Sequence, residues 1–435
     1  MGRNRQHSTA TSRELRARVI GAGPTGALAA LALADAGWIV ELRDRLDPSA
    51  LLARERAYAI SQSSRILLQQ LGLWAGLRPN LSPFQRLQLE DRAAARHVLF
   101  GLDDLPAEAA AIGWILGHRP LMALLLERLS AAASVSLQLG VDGPFESPGP
   151  APDLVLACDG PRSGLRRQAR LPWWEHRYGQ SCVTATVALS QGHGAPTSGC
   201  AWECFRPEGP LAVLPLERGW AQVVWSCGKE RAERLTDLSP SAFLDALAAV
   251  LPGGLEPEGL RDQPRAFPVG IGLAPRLSRG RMLLVGEAAH RCHPVGGQGL
   301  NLCWRDVATI HRLAALARAG RLRAAAIPSR YALRRRLDLL LTLLSTDLLV
   351  RLFSNRQPLL LPLRRLALAL LRQQSALRRL ALAMMELGLP GLLPGRRDLQ
   401  HHAPAHAASG PAALSAAASG HQRQRLAAGD AAGRP

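Results

Sequence analysis

Val19-Ile20-Gly21-Ala22-Gly23-Pro24-Thr25-Gly26 is a G-x-G-x-x-G run set between two kinds of sequence. Arg18 to Ile20 reads as the end of a short strand. Ala27 to Ala36, rich in Ala and Leu and free of proline, reads as a helix. A glycine loop joining a strand to a helix is the context in which this spacing cradles the pyrophosphate of a dinucleotide. Gly21 permits the tight turn, Gly23 lets the backbone approach a phosphate, and Gly26 lets the helix pack close to the sheet. The helix N-terminus then presents free N–H groups and the positive end of its dipole. A second strand, Trp38 to Leu42, ends at Asp44, an acid about 20 residues past the glycines and suited to ribose hydroxyls. The run alone leaves FAD and NAD equally open.

At 435 residues the chain has room for one large or two medium domains, and 47% apolar residues suffice for a buried core. The formal net charge is +19, and Lys229 is the only lysine, so the excess is arginine, much of it beyond residue 310. Two readings compete: a surface that meets an anionic partner, or solvated helix faces. Aromatics are 4% and are not interleaved with basic residues, which argues against single-stranded nucleic acid, and no nucleic-acid partner is expected. The seven cysteines contain no C-x-x-C, and Cys200 and Cys204 lack a second ligand pair, so no metal site is expected. Unpaired thiols fit a reducing compartment, and a cytoplasmic location is expected. Met1 to Ala17 lacks the apolar core of a signal peptide. No run of 18 apolar residues suggests a spanning helix.

Further along, a helical period runs through Leu67, Leu68 and Leu71, and a second helix begins at Arg119-Pro120 with Leu121, Leu124, Leu125 and Leu129 on its apolar face. Val135 to Leu139 and Leu154 to Ala157 read as strands, separated by a Gly/Pro-rich stretch. Between residues 181 and 228 strand-like pieces alternate with turns: Cys182 to Leu189, Gly199 to Phe205, Leu211 to Pro215 and Ala221 to Trp225. They predict an inserted antiparallel sheet. Ser239-Pro240 caps a helix. The strand Arg281 to Val285 leads into a long helix from about Gly299 to Ala319. Residues 329–388 are Leu/Arg-rich and helical, broken at Pro358 and Pro362.

Three separated motifs then occur in order. They are the glycine loop with Asp44, then Cys158-Asp159-Gly160-Pro161-Arg162-Ser163 with Arg166, then Gly286-Glu287-Ala288-Ala289-His290-Arg291-Cys292-His293-Pro294-Val295-Gly296-Gly297-Gln298-Gly299-Leu300-Asn301. Together they resemble the FAD-dependent aromatic monooxygenases of the p-hydroxybenzoate hydroxylase type. Within that group the chain is similar to the ubiquinone-biosynthesis hydroxylases through Cys204-Phe205-Arg206-Pro207-Glu208-Gly209-Pro210-Leu211-Ala212-Val213-Leu214-Pro215-Leu216, Trp304-Arg305-Asp306-Val307, and Thr346-Asp347 through Phe353-Ser354-Asn355. The resemblance covers about residues 18–390 and implies the following. Gly21, Gly23, Gly26, Asp44, Arg56, Arg119, Asp159, Glu287, Gly299, Leu300 and Asn301 hold FAD. Pro294, Gly296 and Gly297 border the reacting edge of the flavin ring. Glu287 stands where the family usually has Asp. His290 and His293 occupy places where family members carry His without catalytic use. NAD(P)H is a transient co-substrate.

The expected fold is α/β. It comprises a disordered tail (1–17), a Rossmann-like FAD-binding domain in two parts (18–175 and 269–325), an inserted antiparallel substrate sheet (176–268), C-terminal helices (326–390) and a second disordered tail (391–435). The expected reaction is ring hydroxylation of a lipophilic, prenylated phenol with NAD(P)H and O₂. Phe205, Leu211, Val213, Leu214 and Trp225 are candidates to wall its pocket. The expected partners are that phenol, O₂, an anionic membrane surface met at its inner face through Arg364, Arg365, Arg372, Arg378 and Arg379, and a quinone-biosynthesis complex. Other flavin chemistry on the same fold (a halogenase or prenyl reductase) and a non-catalytic flavoprotein scaffold are the alternatives.

Overall fold

The computed structural model describes residues 13–141, 150–191 and 199–392. Contacts gather residues 1–396 into one unit and 397–435 into a second, which lies outside the described residues, as do most of both expected tails and of the Gly/Pro-rich stretch between Leu139 and Leu154.

The glycine loop sits where the reading puts it. Arg16–Ile20 pairs in parallel with Ile39–Asp44 on one side and Leu154–Ala157 on the other. Val135–Leu139 and Met282–Leu284 extend this six-stranded sheet, and Ser278–Arg279 closes its edge in antiparallel fashion. The first strand starts at Arg16, inside the stretch expected as tail. Pro24–Asp35 forms the first helix, with Pro24 in its opening turn, and Leu28, Ala29, Ala32 and Leu33 are fully buried. Small residues let it lie close to the sheet: a Cβ on Gly26 would stand 1.7 Å from the Gly21 carbonyl oxygen. Gly21 itself has φ +102°, and a Cβ there would meet the Cys158 carbonyl oxygen at 2.3 Å. Gln298–Arg318 packs beside the first helix, and Trp38 Nε1 donates to the Ala314 carbonyl across the core.

The second sheet has nine strands. Trp174–Gln191, Cys200–Phe205, Leu211–Pro215 and Trp220–Gly228 match the four expected strand pieces. Two features differ from the expectation. Cys200–Phe205 pairs in parallel with Arg86–Asp91, and Arg96–Phe100 continues the sheet, so residues ahead of the expected insertion supply two of its strands. The sheet is therefore mixed rather than purely antiparallel. Alternation divides its faces. Trp202, Cys204, Leu211, Val213, Val223 and Trp225 join a core completed by Phe243 and Leu247 of the helix Pro240–Ala248. A small antiparallel sheet of Ala57–Ile60, Gly113–Gly117 and Leu81–Phe84 joins the two halves. The long helix Ile327–Phe353 follows, then Leu361–Gln373 and Ser375–Leu392. Pro362 lies in the first turn of its helix, where its missing N–H costs nothing, so it starts a helix rather than breaking one.

Candidate functional site

A cavity of about 820 Å³ opens at the carboxyl ends of the parallel strands and runs to the inner face of the mixed sheet. Ligands collect at this end of open α/β sheets.

At its first end lie Gly21, Gly23 and Asp44. A Cβ on Gly23 would meet nothing within 4 Å, and its backbone is in an ordinary extended conformation at φ −63°. The fold itself therefore does not demand glycine there; the open space beside it is room for a ligand. Asp44 is drawn toward its own chain. Its Oδ2 accepts from the Ala22 N–H at 2.6 Å and its Oδ1 from the Leu46 N–H at 2.8 Å, so the carboxylate pins the glycine loop to the end of the second strand. Each oxygen keeps a further lone pair for a hydroxyl. Asp159 accepts from the Leu165 N–H at 3.2 Å through Oδ2, while its Oδ1 is buried with no partner among the described residues. A buried carboxylate oxygen left open in a cavity wall is the mark of a missing donor.

Arg56 donates from Nε to the Tyr58 hydroxyl at 2.7 Å, and that hydroxyl meets His118 Nδ1 at 2.8 Å. His118 Nε2 in turn lies 2.8 Å from the Leu51 carbonyl. Burial, with the nearby Arg54 and Arg56 charges, lowers the His118 level despite the Leu51 bond. Arg56, Tyr58 and Glu287 all line the cavity, and Glu287 is an exposed residue. Arg119 does not join them: it is exposed on the first turn of His118–Ala131 and is not among the lining residues.

The segment Pro294 to Asn301 forms the middle of the wall. Gly296 and Gly297 take φ of +67° and +63°, the turn that starts Gln298–Arg318. Gly299 and Leu300 face the cavity on the first turn. Asn301 is fully engaged by the protein. Its Oδ1 accepts from the Ser61 N–H and the Ser64 hydroxyl, and its Nδ2 donates to the Ala59 and Gly297 carbonyls. It thus clamps the glycine turn to the strand Ala57–Ile60. His290 and His293 stand behind the wall. His290 Nε2 pairs with Asp306 at 2.8 Å. Burial pushes His293 down to about 4, which keeps it neutral near pH 7.

Asp306 is the hub of a buried network. It accepts from the Gly286 N–H at 2.9 Å and from Arg335 Nε at 2.6 Å. Arg335 and Arg305 share Asp338. Burial would raise Asp306, but His290, Arg335 and the Gly286 N–H bring it to about 2.

At the far end the wall is the sheet face that carries Leu87, Ala201, Glu203, Phe205, Leu214 and Val224. Of the five pocket candidates, Phe205 and Leu214 are here; Leu211, Val213 and Trp225 point into the opposite core. The register explains the split, since Leu211 pairs with Trp225 and Val213 with Val223, all on one face. Leu349, Met385 and Glu386 of the C-terminal helices close the cavity. Two buried acids were not singled out from sequence. Glu203 accepts from the Gly296 N–H at 3.2 Å, and Glu386 from the Gln62 N–H at 2.9 Å. Burial raises them to about 7 and about 8, the bonded N–H groups lowering each in part. Glu203 was legible: it occupies the alternate position between Ala201 and Phe205, where the strand period demands an inward side chain.

The FAD binding domain family model matches residues 14–108 and 151–335. The chain is 32% identical over 396 residues to a protein of Rhodospirillum rubrum named ubiquinone hydroxylase UbiL, covering 85% of this chain and 90% of that one. It is 30% identical over 389 residues to the 3-demethoxyubiquinol 3-hydroxylase of Escherichia coli, covering 84% and 96%. The p-nitrophenol 4-monooxygenase PnpA of Pseudomonas putida shares the fold at a TM-score of 0.70 and 20% identity, covering 86% and 98%.

Proposed function

The chain belongs to the FAD binding domain family, and on that premise we propose that it is an FAD-dependent monooxygenase of quinone biosynthesis. It adds one hydroxyl group to the ring of a lipophilic phenol, with NAD(P)H and O₂ as co-substrates. The observation that carries the reading is the single cavity that joins the glycine-loop end to an apolar sheet face. It is supported by near full-length similarity to proteins named as quinone-ring hydroxylases.

The residues present fit FAD. Open space at Gly23 and the unpartnered Asp159 oxygen are features a dinucleotide would fill. Bound FAD supplies the redox chemistry: it takes electrons from NAD(P)H and activates O₂ for transfer of one oxygen atom. In this reading Gly21, Gly23 and the helix Pro24–Asp35 meet the pyrophosphate, while Gly26 serves only the close packing behind it. Asp44 takes ribose hydroxyls on its remaining lone pairs, Arg56 supplies a forked cation, and Asp159 and Glu287 take further hydroxyls. Pro294, Gly296 and Gly297 border the ring, Gly299 and Leu300 offer backbone contacts, and Asn301 holds that turn rigid. The apolar wall keeps water from the reacting oxygen. Arg119 contributes from outside the cavity or not at all.

The test is incubation of FAD-loaded enzyme with NAD(P)H, a short-chain prenylphenol and labelled O₂. One labelled oxygen in the ring is expected. Label absent from every product, with FAD bound and NAD(P)H consumed, rejects monooxygenation.

The reading extends to where the enzyme works. Leu333, Leu337, Leu340, Leu344 and Leu348 are all exposed, with Leu333 at 70%, and their spacing puts them on one face of Ile327–Phe353. Leu359, Leu363, Leu366 and Leu370 are exposed in the segment that follows, as are Arg330, Arg336, Arg365, Arg372 and Arg379 of these helices. Exposed leucine accompanied by arginine suits an anionic bilayer surface, where a lipophilic substrate resides. Two of the five arginines read from sequence are spent internally. Arg364 is buried and donates to the Leu352 carbonyl, and Arg378 binds the Asp104 carboxylate.

A further inference from the structure

The cavity-facing side of the mixed sheet is largely apolar, and one of its few polar positions is an acid without a counter-charge. Glu203 stands on Cys200–Phe205 with Leu89 and Ala212 as register partners. It is 6% exposed. Its Oε2 accepts the Gly296 N–H, and its Oε1 has no hydrogen-bond partner among the described residues. A glutamine would accept the same N–H without the cost of burying an ionisable group. Structure alone therefore gives no reason for an acid here. The residue bridges the glycine turn of residues 296–297 and the apolar wall, which is the junction a substrate ring would occupy.

Resting on the hydroxylase reading above, we propose that Glu203 Oε1 is the acceptor for the ring hydroxyl of the substrate, first of its hydrogen bond and then of its proton. The ring O–H bond breaks and an O–H bond forms on Oε1. The electron pair stays on the ring oxygen, so the acid becomes neutral as the phenol becomes phenolate, and no oxidant is involved. The negative charge spreads to the ortho and para carbons, which makes them better nucleophiles toward the oxygen to be transferred. Oε1 gives its proton up to solvent before the next turnover. Burial, offset in part by the Gly296 N–H, puts Glu203 at about 7, where an acid can both take and release a proton at working pH. The titratable groups that share its cavity include Tyr58 of Ala57–Ile60, Arg291 and Cys292 ahead of Pro294, and Glu386 of the last helix, which is held on Gln62; Asp44, Arg54, Arg56, Asp159 and Glu287 line the same cavity. Cys182 and Cys204 on the sheet are pushed up chiefly by burial, with a smaller push from Glu203. None of these groups is a cause of Glu203's own level, which burial and Gly296 set.

The experiment uses FAD-loaded full-length enzyme with 2-prenylphenol and its methyl ether, binding being read from perturbation of the flavin absorption band. Wild type is expected to prefer the phenol by about tenfold or more, with the preference growing as pH rises from about 6 to 8. In Glu203→Gln the carbonyl keeps the Gly296 bond and the NH₂ faces the ligand. An NH₂ donates equally to a phenol or an ether oxygen, so the preference and its pH dependence are both expected to vanish. Hydroxylation in that variant should fall by about 10²- to 10⁴-fold and lose its rise near pH 7. Glu203→Asp should keep the pH dependence at weaker affinity. Discrimination retained in Glu203→Gln overturns the proposal. So does discrimination by wild type that does not change with pH, which needs no variant to fold. If wild type discriminates through Glu203 yet yields no labelled product, the acceptor stands and the hydroxylase reading fails. If label enters the ring but Glu203→Gln behaves as wild type, the reverse holds.

Discussion

Gly23 and Gly26 are three residues apart, yet the structure gives them opposite reasons to be glycine. Gly23 borders open space, whereas a side chain at Gly26 would strike the Gly21 carbonyl. Gly23→Val should therefore fold with wild-type thermal stability and bind no FAD, measured as flavin released by heat. Gly26→Val should lose fold and flavin together, since the helix cannot approach the strand. Glu203 supplies a second prediction at this scale. A carboxyl raised in the folded state favours folding only while protonated. Its benefit is complete below the unfolded value near 4 and is lost as pH rises through about 7. Glu203→Gln should thus stabilise the protein above pH 7, by on the order of 3 kcal/mol at pH 8, in chemical denaturation at two pH values; equal stabilisation at pH 5 would contradict the assignment. The glycines were legible because the spacing records both reasons, room for a ligand at Gly23 and close helix packing at Gly26. Asp44 was legible as a cavity residue, but its tether to Ala22 and Leu46 was not, because the distances depend on how the loop closes.

At the scale of elements, the helix Gln298–Arg318 is fixed at both sides of its first turns. Asn301 ties it to Ala57–Ile60, and Asp306 ties it to Gly286 and to Ile327–Phe353 through Arg335. Removing one member of a buried ionic group strands the others, so Asp306→Ala should cost about 3–5 kcal/mol in urea denaturation. A loss under 1 kcal/mol would show that the network carries little. Because Asp306 is depressed to about 2, its contribution is present above about pH 4 and fades as pH falls through 2. Sequence motifs placed this helix within one residue at either end, since Gly and Ala boundaries are local signals. The network was invisible, because Arg335 and Asp338 lie about 30 residues further on with no spacing rule to join them. The sheet teaches a different lesson. Arg86–Asp91 alternates Leu87 and Leu89 with polar residues, a strand signal left unread, and the same period would have separated Phe205 from Leu211 and Trp225.

For the whole molecule, the net charge of +19 divides into internal and external arginines, which composition cannot do. No helix among the described residues is long and apolar enough to cross a membrane. The exposed leucine surface predicts adhesion instead. The protein should float with anionic vesicles, less so as salt rises, and Leu340→Glu with Leu344→Glu should reduce flotation severalfold while FAD content stays constant. Equal flotation of the variant and wild type would place the contact elsewhere.

The wall formed by Met385 and Glu386 also has a place in time. Every other cavity segment, through Leu349, is made before it. At about 5–20 residues per second, roughly 4 to 17 s separate the emergence of Asn301 from that of Glu386. During that interval a nascent chain presents the glycine loop and the turn at residues 296–297 with one side still open. FAD supplied during translation meets an unfinished vestibule, whereas FAD added to the completed apoprotein meets one already walled by Met385 and Glu386. Cell-free synthesis with the cofactor present should accordingly yield fully loaded enzyme at once, and addition after release should load it slowly.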